Sequence, residues 1–193
     1  MNRLYIFTGY SGSGKCAVAN ILNTVGGYNV VRSYTTKPRK DDIDESHIFV
    51  SDVNYADIPN KLAETIIGDY RYCTTNEQLE SSDIFVMDGK GLEDIVDALG
   101  RSRQIIVIYF GANIRTRIDN MRKRGDCDTT ILNKIYKDEE SDLENSVHKI
   151  VWNYCHNEDC AIEMITINAN RDVDIVVKEV SDIMRDASEY KNN

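Results

Sequence analysis

Apolar residues in this chain come in short, dense runs separated by longer stretches of helical spacing. Residues 4–8, Leu-Tyr-Ile-Phe-Thr, form an apolar strand that ends in a Gly/Ser-rich turn, and 17–25 then follow a helical period. Residues 28–32 read as a second strand, and 84–87 as a fully apolar one that follows a capped helical stretch starting at Thr75. The strongest buried strand is 104–110, Gln-Ile-Ile-Val-Ile-Tyr-Phe, and the last is 164–167, followed by an amphipathic helix over about 173–185. Strands that alternate with helices and are apolar throughout predict a parallel α/β sheet covered by helices on both faces. Two segments break the rhythm. Residues 33–74 carry short polar and β-like pieces, at 47–50 and 71–74, and predict a small inserted subdomain. Residues 122–130 are polar and contain a glycine between two helices, which predicts a mobile loop. The polar tail at 188–193 reads as loose.

Length and composition narrow the class. A chain of 193 residues can bury one sizeable core, so we read a single domain: core 1–32, 75–121 and 131–193, with the insert at 33–74 and the loop at 122–130. Hydrophobic residues at 41% and charged residues at 28% are those of an ordinary globular protein. No apolar run approaches a membrane span, and no signal peptide is visible, so the expectation is a cytoplasmic protein without a membrane partner. A net charge of -9 argues against a nucleic-acid partner. Basic residues nevertheless cluster at 32–40 and 115–124, which suits small anionic ligands as well as it suits a solvated face. Five cysteines, an odd number with no CxxC pair, fit reduced thiols. His148, Cys155, His156 and Cys160 lie near one another in sequence, but their spacing matches no common zinc pattern, and no metal site is assigned to them. Oligomeric state is left at monomer or homodimer.

Gly9-Tyr10-Ser11-Gly12-Ser13-Gly14-Lys15 fits G-x-x-x-x-G-K. In that pattern glycines let backbone N–H groups converge on phosphate oxygens, the following helix points its positive end at them, and the lysine reaches the β- and γ-phosphates. The motif falls between an apolar strand and a helix, where the mechanism requires it. The fold is therefore expected to be P-loop NTPase-type, with ATP as ligand. The next position departs from the pattern. Where Ser or Thr would ligate Mg²⁺ stands Cys16, and a thiol is a poor ligand for a hard ion.

A second group of residues follows. Ser33-Tyr34-Thr35-Thr36-Lys37-Pro38-Arg39 sets two cations and several hydroxyls in one extended segment stiffened by proline, a candidate anion clamp. His47, Glu64, Tyr72, Thr74 and Asp88 come after it. With the phosphate loop, these resemble guanylate kinases over nearly the whole chain. That family carries G-P-S-G-x-G-K, an S-x-T-T-R-x-x-R segment, Y-G-T-S, an Asp-bearing strand and an R-G lid. The resemblance implies that Ser33, Lys37, Arg39 and Tyr72 hold the phosphate of GMP, with His47 where the family has a further phosphate-binding tyrosine. It also implies that Glu64 accepts hydrogen bonds from guanine N1–H and the 2-amino group, with Thr74 and Asp88 completing the base site. Lys37 replaces a family arginine and loses its bidentate fork. Cys73 replaces the glycine of Y-G-T-S.

In the lid, Arg124-Gly125 matches R-G, while Asn120 and Ile135 stand in the places of two family arginines. Arg117, Arg122 and Lys134 are close enough in sequence to replace them, and phosphoryl transfer depends on such cations. The candidate catalytic residues are Lys15, Arg122, Arg124 and Lys134; ATP and Mg²⁺ would be held at Gly9 to Cys16. The expected activity is ATP + GMP (or dGMP) to ADP + GDP. Two alternatives stay open: a ribose bisphosphate phosphokinase-like kinase, suggested by Glu45-Ser46-His47-Ile48, and a binding module without turnover, suggested by Cys16 and the thinned lid.

Overall fold

The computed structural model describes residues 3–39, 47–87, 89, 91–156 and 161–189. Strand β1 (Arg3–Thr8) is buried from Leu4 onward and stops at Gly9, after which helix α1 (Lys15–Thr24) begins at the left-handed Gly14. The insert contributes β2 (Tyr34–Thr35), β3 (Ile48–Phe49), α2 (Asp52–Ala56), β4 (Lys61–Ile67) and β5 (Tyr70–Thr75). The chain returns to the core through α3 (Asn76–Glu80), β6 (Ile84–Val86), α4 (Leu92–Leu99) and β7 (Gln104–Gly111). Helices α5 (Ile114–Lys123), α6 (Asp128–Ser141) and α7 (Leu143–Cys155) follow, then β8 (Ile162–Asn168) and α8 (Val173–Glu189). Thr75 caps α3 as its sequence suggests: the hydroxyl accepts from Gln78 N–H while the Gln78 side chain accepts from Thr75 N–H.

The core sheet runs β6-β1-β7-β8, all parallel, so β1 is an inner strand and its carboxyl end opens at the middle of the sheet. Side chains alternate across β1. Leu4 and Ile6 pack toward α4 and α7, while Tyr5 and Phe7 pack toward α1 and α8. Strand β7 is buried from Ile105 through Phe110 because both faces are covered. Each such aliphatic side chain contributes about 1.5–3 kcal/mol on burial. This is the α/β architecture the apolar runs predict.

Two expectations need correction. Residues 28–32 lie along β6 but form a single parallel bridge, Val30 to Ile84, rather than a strand. The carbonyl of Arg32 turns away to accept from Gln78 Nε2 at 2.7 Å, which leads the chain into the insert. The segment 122–130 is mostly helix, since α5 runs through Lys123 and α6 starts at Asp128. Only 124–127 is non-helical. Gly125, at φ 87°, makes a tight left-handed stop there, with Asp126 N–H donating back to Met121 O at 3.0 Å.

The insert is a second, mixed sheet of order β3-β2-β5-β4. In β4 the register shifts between Leu62 and Thr65, and Ala63 takes φ 51°. That bulge presses Ala63 onto Gly91, where an added Cβ would fall 2.6 Å from the Ala63 methyl, so the insert is docked on the start of α4.

Candidate functional site

The loop from Gly9 to Gly14 is shaped by what packs behind it. A Cβ on Gly9 would lie 2.8 Å from Phe110 O, and one on Gly12 would lie 2.4 Å from Arg117 O. Both positions therefore require glycine, because the backbones of β7 and α5 approach the loop closely. Gly14, at φ 93°, instead faces open space. On that open side the first amides of α1 lack partners within the helix, as every helix start does, and they carry its positive dipole end. Ser13 is buried and its hydroxyl has no hydrogen-bond partner among the described residues. Lys15 is half-buried, with Nζ donating to Tyr10 O at 3.3 Å. The first-turn amides of α1, the Ser13 hydroxyl and the adjacent Lys15 ammonium fit a nucleotide's phosphates. Cys16 is exposed on the first turn of α1, with a free thiol.

The outer side of the loop is tied to α5 and α6. Asn120 Nδ2 donates to Gly12 O at 2.8 Å, Arg117 Nε donates to Ser11 O at 3.0 Å, and Asp138 Oδ2 accepts from Ser11 N–H at 2.8 Å. Arg117, expected among replacement lid cations, is only 2% exposed and fastened by an ion pair to Asp138 at 2.6 Å. Nothing in the sequence marks Asp138. A carboxylate three turns into an exposed-looking helix carries no local signal of what it meets.

On the insert, Ser33, His47 and Tyr72 come together. Ser33 Oγ and His47 Nδ1 are 3.1 Å apart, and the His47 ring meets Tyr72 edge-on at 5.4 Å. Strand pairing sets this, because Thr35 lies opposite Tyr72 and Ile48 pairs beside Tyr34. Lys37 is exposed and its amide bonds Thr35 Oγ1, while the Arg39 guanidinium lies 5.1 Å over the Phe49 ring. Thr74 is fully buried on the same face as Tyr72 and donates to Gln78 Oε1 at 3.0 Å.

Glu64 stands apart from that group. Its Oε1 accepts from the Tyr55 hydroxyl at 3.2 Å, and Tyr55 also bonds Cys73, whose side chain alternates to the face opposite Tyr72 and Thr74. The bulge at Ala63 is the cause: one extra residue in β4 turns Glu64 to the face of Cys73, away from Tyr72 and Thr74. Burial, then the hydrogen bond with Cys73, pushes the Tyr55 phenol well above its ordinary pKa; burial likewise raises the Cys73 thiol. Asp88 falls outside the described residues.

The cations expected in the lid are each held by a nearby carboxylate. Arg122 pairs with Asp128 at 3.2 Å, Arg124 with Asp126 at 2.5 Å, and Lys134 with Asp126 at 2.8 Å. The Arg124 hydrogen bond, reinforced by that of Lys134, lowers the Asp126 carboxyl to about 2.

No family model and no curated protein matches this sequence. Among solved structures, guanylate kinase from Anaplasma phagocytophilum superposes with a TM-score of 0.55 at 14% identity, covering 99% of this chain and 88% of that one. The fold is guanylate kinase-like. A deoxyadenosine kinase from M. mycoides with bound dATP aligns at a TM-score of 0.49 and 12% identity, over 94% of this chain and 99% of that chain. The guanylate kinase-like fold accounts for the parallel sheet, the phosphate loop at the end of an inner strand, and the docked insert.

Among the described residues no group of three or more His, Cys, Asp or Glu side chains could hold a metal ion. Cys155 and His156 are in contact, Sγ to Nδ1 3.2 Å, and Cys160 falls outside the described residues. No helix among the described residues is long and apolar enough to cross a membrane.

Proposed function

We propose that this protein is a nucleoside monophosphate kinase that transfers the terminal phosphoryl group of ATP to GMP or dGMP, giving ADP and GDP. The observation that carries the reading is the phosphate loop, whose Gly9 and Gly12 are required by its packing and whose open side offers α1 amides, the Ser13 hydroxyl and Lys15. Those groups would bind and orient the donor phosphates. Ser33, His47 and Tyr72, with Lys37 and Arg39, would hold the acceptor phosphate, and Thr74 and Asp88 would border its base. Arg122, Arg124 and Lys134 would supply charge to the transferring group once they leave their carboxylates. Mg²⁺ bound with the nucleotide would lower the charge of the donor phosphates, with little help from Cys16, whose sulfur suits a hard ion poorly.

The position of Glu64 favours a second reading, in which the acceptor is a phosphorylated compound other than a guanine nucleotide, such as a ribose bisphosphate. An ADP-release assay with ATP and a panel of GMP, dGMP, AMP, UMP, ribose bisphosphate and no acceptor decides between them. GMP and dGMP are expected to exceed the other acceptors by about tenfold or more in kcat/KM. A preference for ribose bisphosphate would replace guanine by the second reading, and ADP release indifferent to any acceptor would overturn the kinase.

A further inference from the structure

We infer that Asp138 is a positioning residue for the phosphate loop, acting from α6 through Ser11 and Arg117, and that it sets affinity for the donor nucleotide. This rests on the reading of the loop as the ATP site.

The geometry is specific. Asp138 Oδ2 accepts both from Ser11 N–H at 2.8 Å and from Arg117 Nη2 at 2.6 Å, and Oδ1 lies 3.4 Å from Ser11 Oγ. Arg117 in turn donates to Ser11 O at 3.0 Å, and its guanidinium lies 4.8 Å over the Tyr10 ring. One ion pair thus binds the amide, the carbonyl and the hydroxyl of Ser11 and covers the residue before it. Glu139 adds a longer contact to Arg117 at 3.5 Å from the exposed side. Ser11 lies in the middle of the loop, between two glycines whose conformations are free in the unfolded chain and costly to fix. Holding that residue from outside orders the loop before phosphate arrives, so binding need not do it. The carboxylate belongs to the helix that begins at the lid turn. Its position therefore links lid placement to the shape of the cradle.

A purely structural ion pair would behave differently from a positioning one, and paired substitutions separate them. A buried pair replaced on both sides by apolar residues usually keeps or gains stability, whereas removal of one partner strands a charge. Asp138→Ala, Asp138→Asn and the double variant Arg117→Met/Asp138→Leu would be compared with the unmodified protein by thermal melting, ATP calorimetry, and KM and kcat with the best acceptor. Expected is a double variant that melts like the unmodified protein yet binds ATP about tenfold more weakly. KM for ATP should rise, with KM for the acceptor unchanged. Should Asp138→Ala prove unfolded, the double variant still carries the test. A double variant that restores melting and ATP affinity together overturns the positioning role and leaves the ATP site standing. Absence of ATP binding by the unmodified protein overturns the nucleotide reading and this inference with it.

Discussion

The proposed donor and acceptor sides of this molecule are built in contrasting ways. The phosphate loop is enclosed by rigid elements, with β1 and β7 beneath it, α1 leading away, and α5 and α6 bonded to Ser11 and Gly12 from outside. Of the proposed acceptor residues, Tyr72 and Thr74 lie on β5, while Ser33, Lys37, Arg39 and His47 lie in the backbone flanking the two-residue strands β2 and β3. Their side chains are half-buried or exposed, apart from Thr74. On the proposed reading, donor binding falls to backbone that several contacts hold in place. On the same reading, acceptor choice falls to side chains that are less enclosed, and one extra residue in β4 is enough to turn Glu64 to the other face.

The largest expected effect lies on the donor side. Lys15→Ala should lower kcat/KM by about 10²–10³, the usual loss of a charge-stabilising group, and should weaken ATP binding with it. Calorimetry that finds ATP affinity unchanged would remove the donor half of the comparison.

On the acceptor side the contrast between the two faces of the insert can be tested directly. Tyr72→Phe removes the hydroxyl of the ring that meets His47 and should raise KM for the acceptor by roughly 2- to 13-fold, a hydrogen bond's worth of about 0.5–1.5 kcal/mol. Glu64→Gln should change KM for GMP less than Tyr72→Phe does, since Glu64 is engaged with Tyr55. A larger loss from Glu64→Gln would show that β4 rearranges to bring the carboxylate to guanine, and would reverse that side of the argument.

The lid turn should respond to acid. The Asp126 carboxyl is lowered to about 2 in the fold, so the charged form is favoured there. Its contribution is present above the ordinary carboxylate pKa and is lost as pH falls through about 4 toward 2. Its partners Arg124 and Lys134 are partly exposed, which limits the effect to about 1 kcal/mol or less. Asp126→Asn should flatten the acid limb of stability, and amide exchange at 124–127 should quicken in that variant. An unchanged acid limb would discard the role of this pair.

The smallest effect is expected at Cys16. Cys16→Ser restores an oxygen at the first turn of α1 and should lower the Mg²⁺ concentration for half-maximal rate by a few-fold, about 1 kcal/mol or less. Rate and metal dependence that both stay flat would show that this position contributes nothing to metal placement.

The sequence by itself determined the central architecture and the donor loop. Buried parallel strands must be apolar throughout, so 4–8, 84–87 and 104–110 stand out, and G-x-x-x-x-G-K encodes its conformation in its own glycines. Thr75 and Gln78 announced a helix start for the same local reason. Tertiary structure alone decided the rest. Whether Asp138 meets solvent or Ser11 depends on where α6 crosses the loop, 127 residues away along the chain. Which face Glu64 occupies depends on a bulge at Ala63, which packs against Gly91 from a segment 28 residues away. The free cations expected of the lid are paired because a Gly125 stop folds Asp126 back between Arg124 and Lys134. Patterns of burial and backbone freedom are local properties of the chain, while the partner of a polar side chain is set by packing between distant segments.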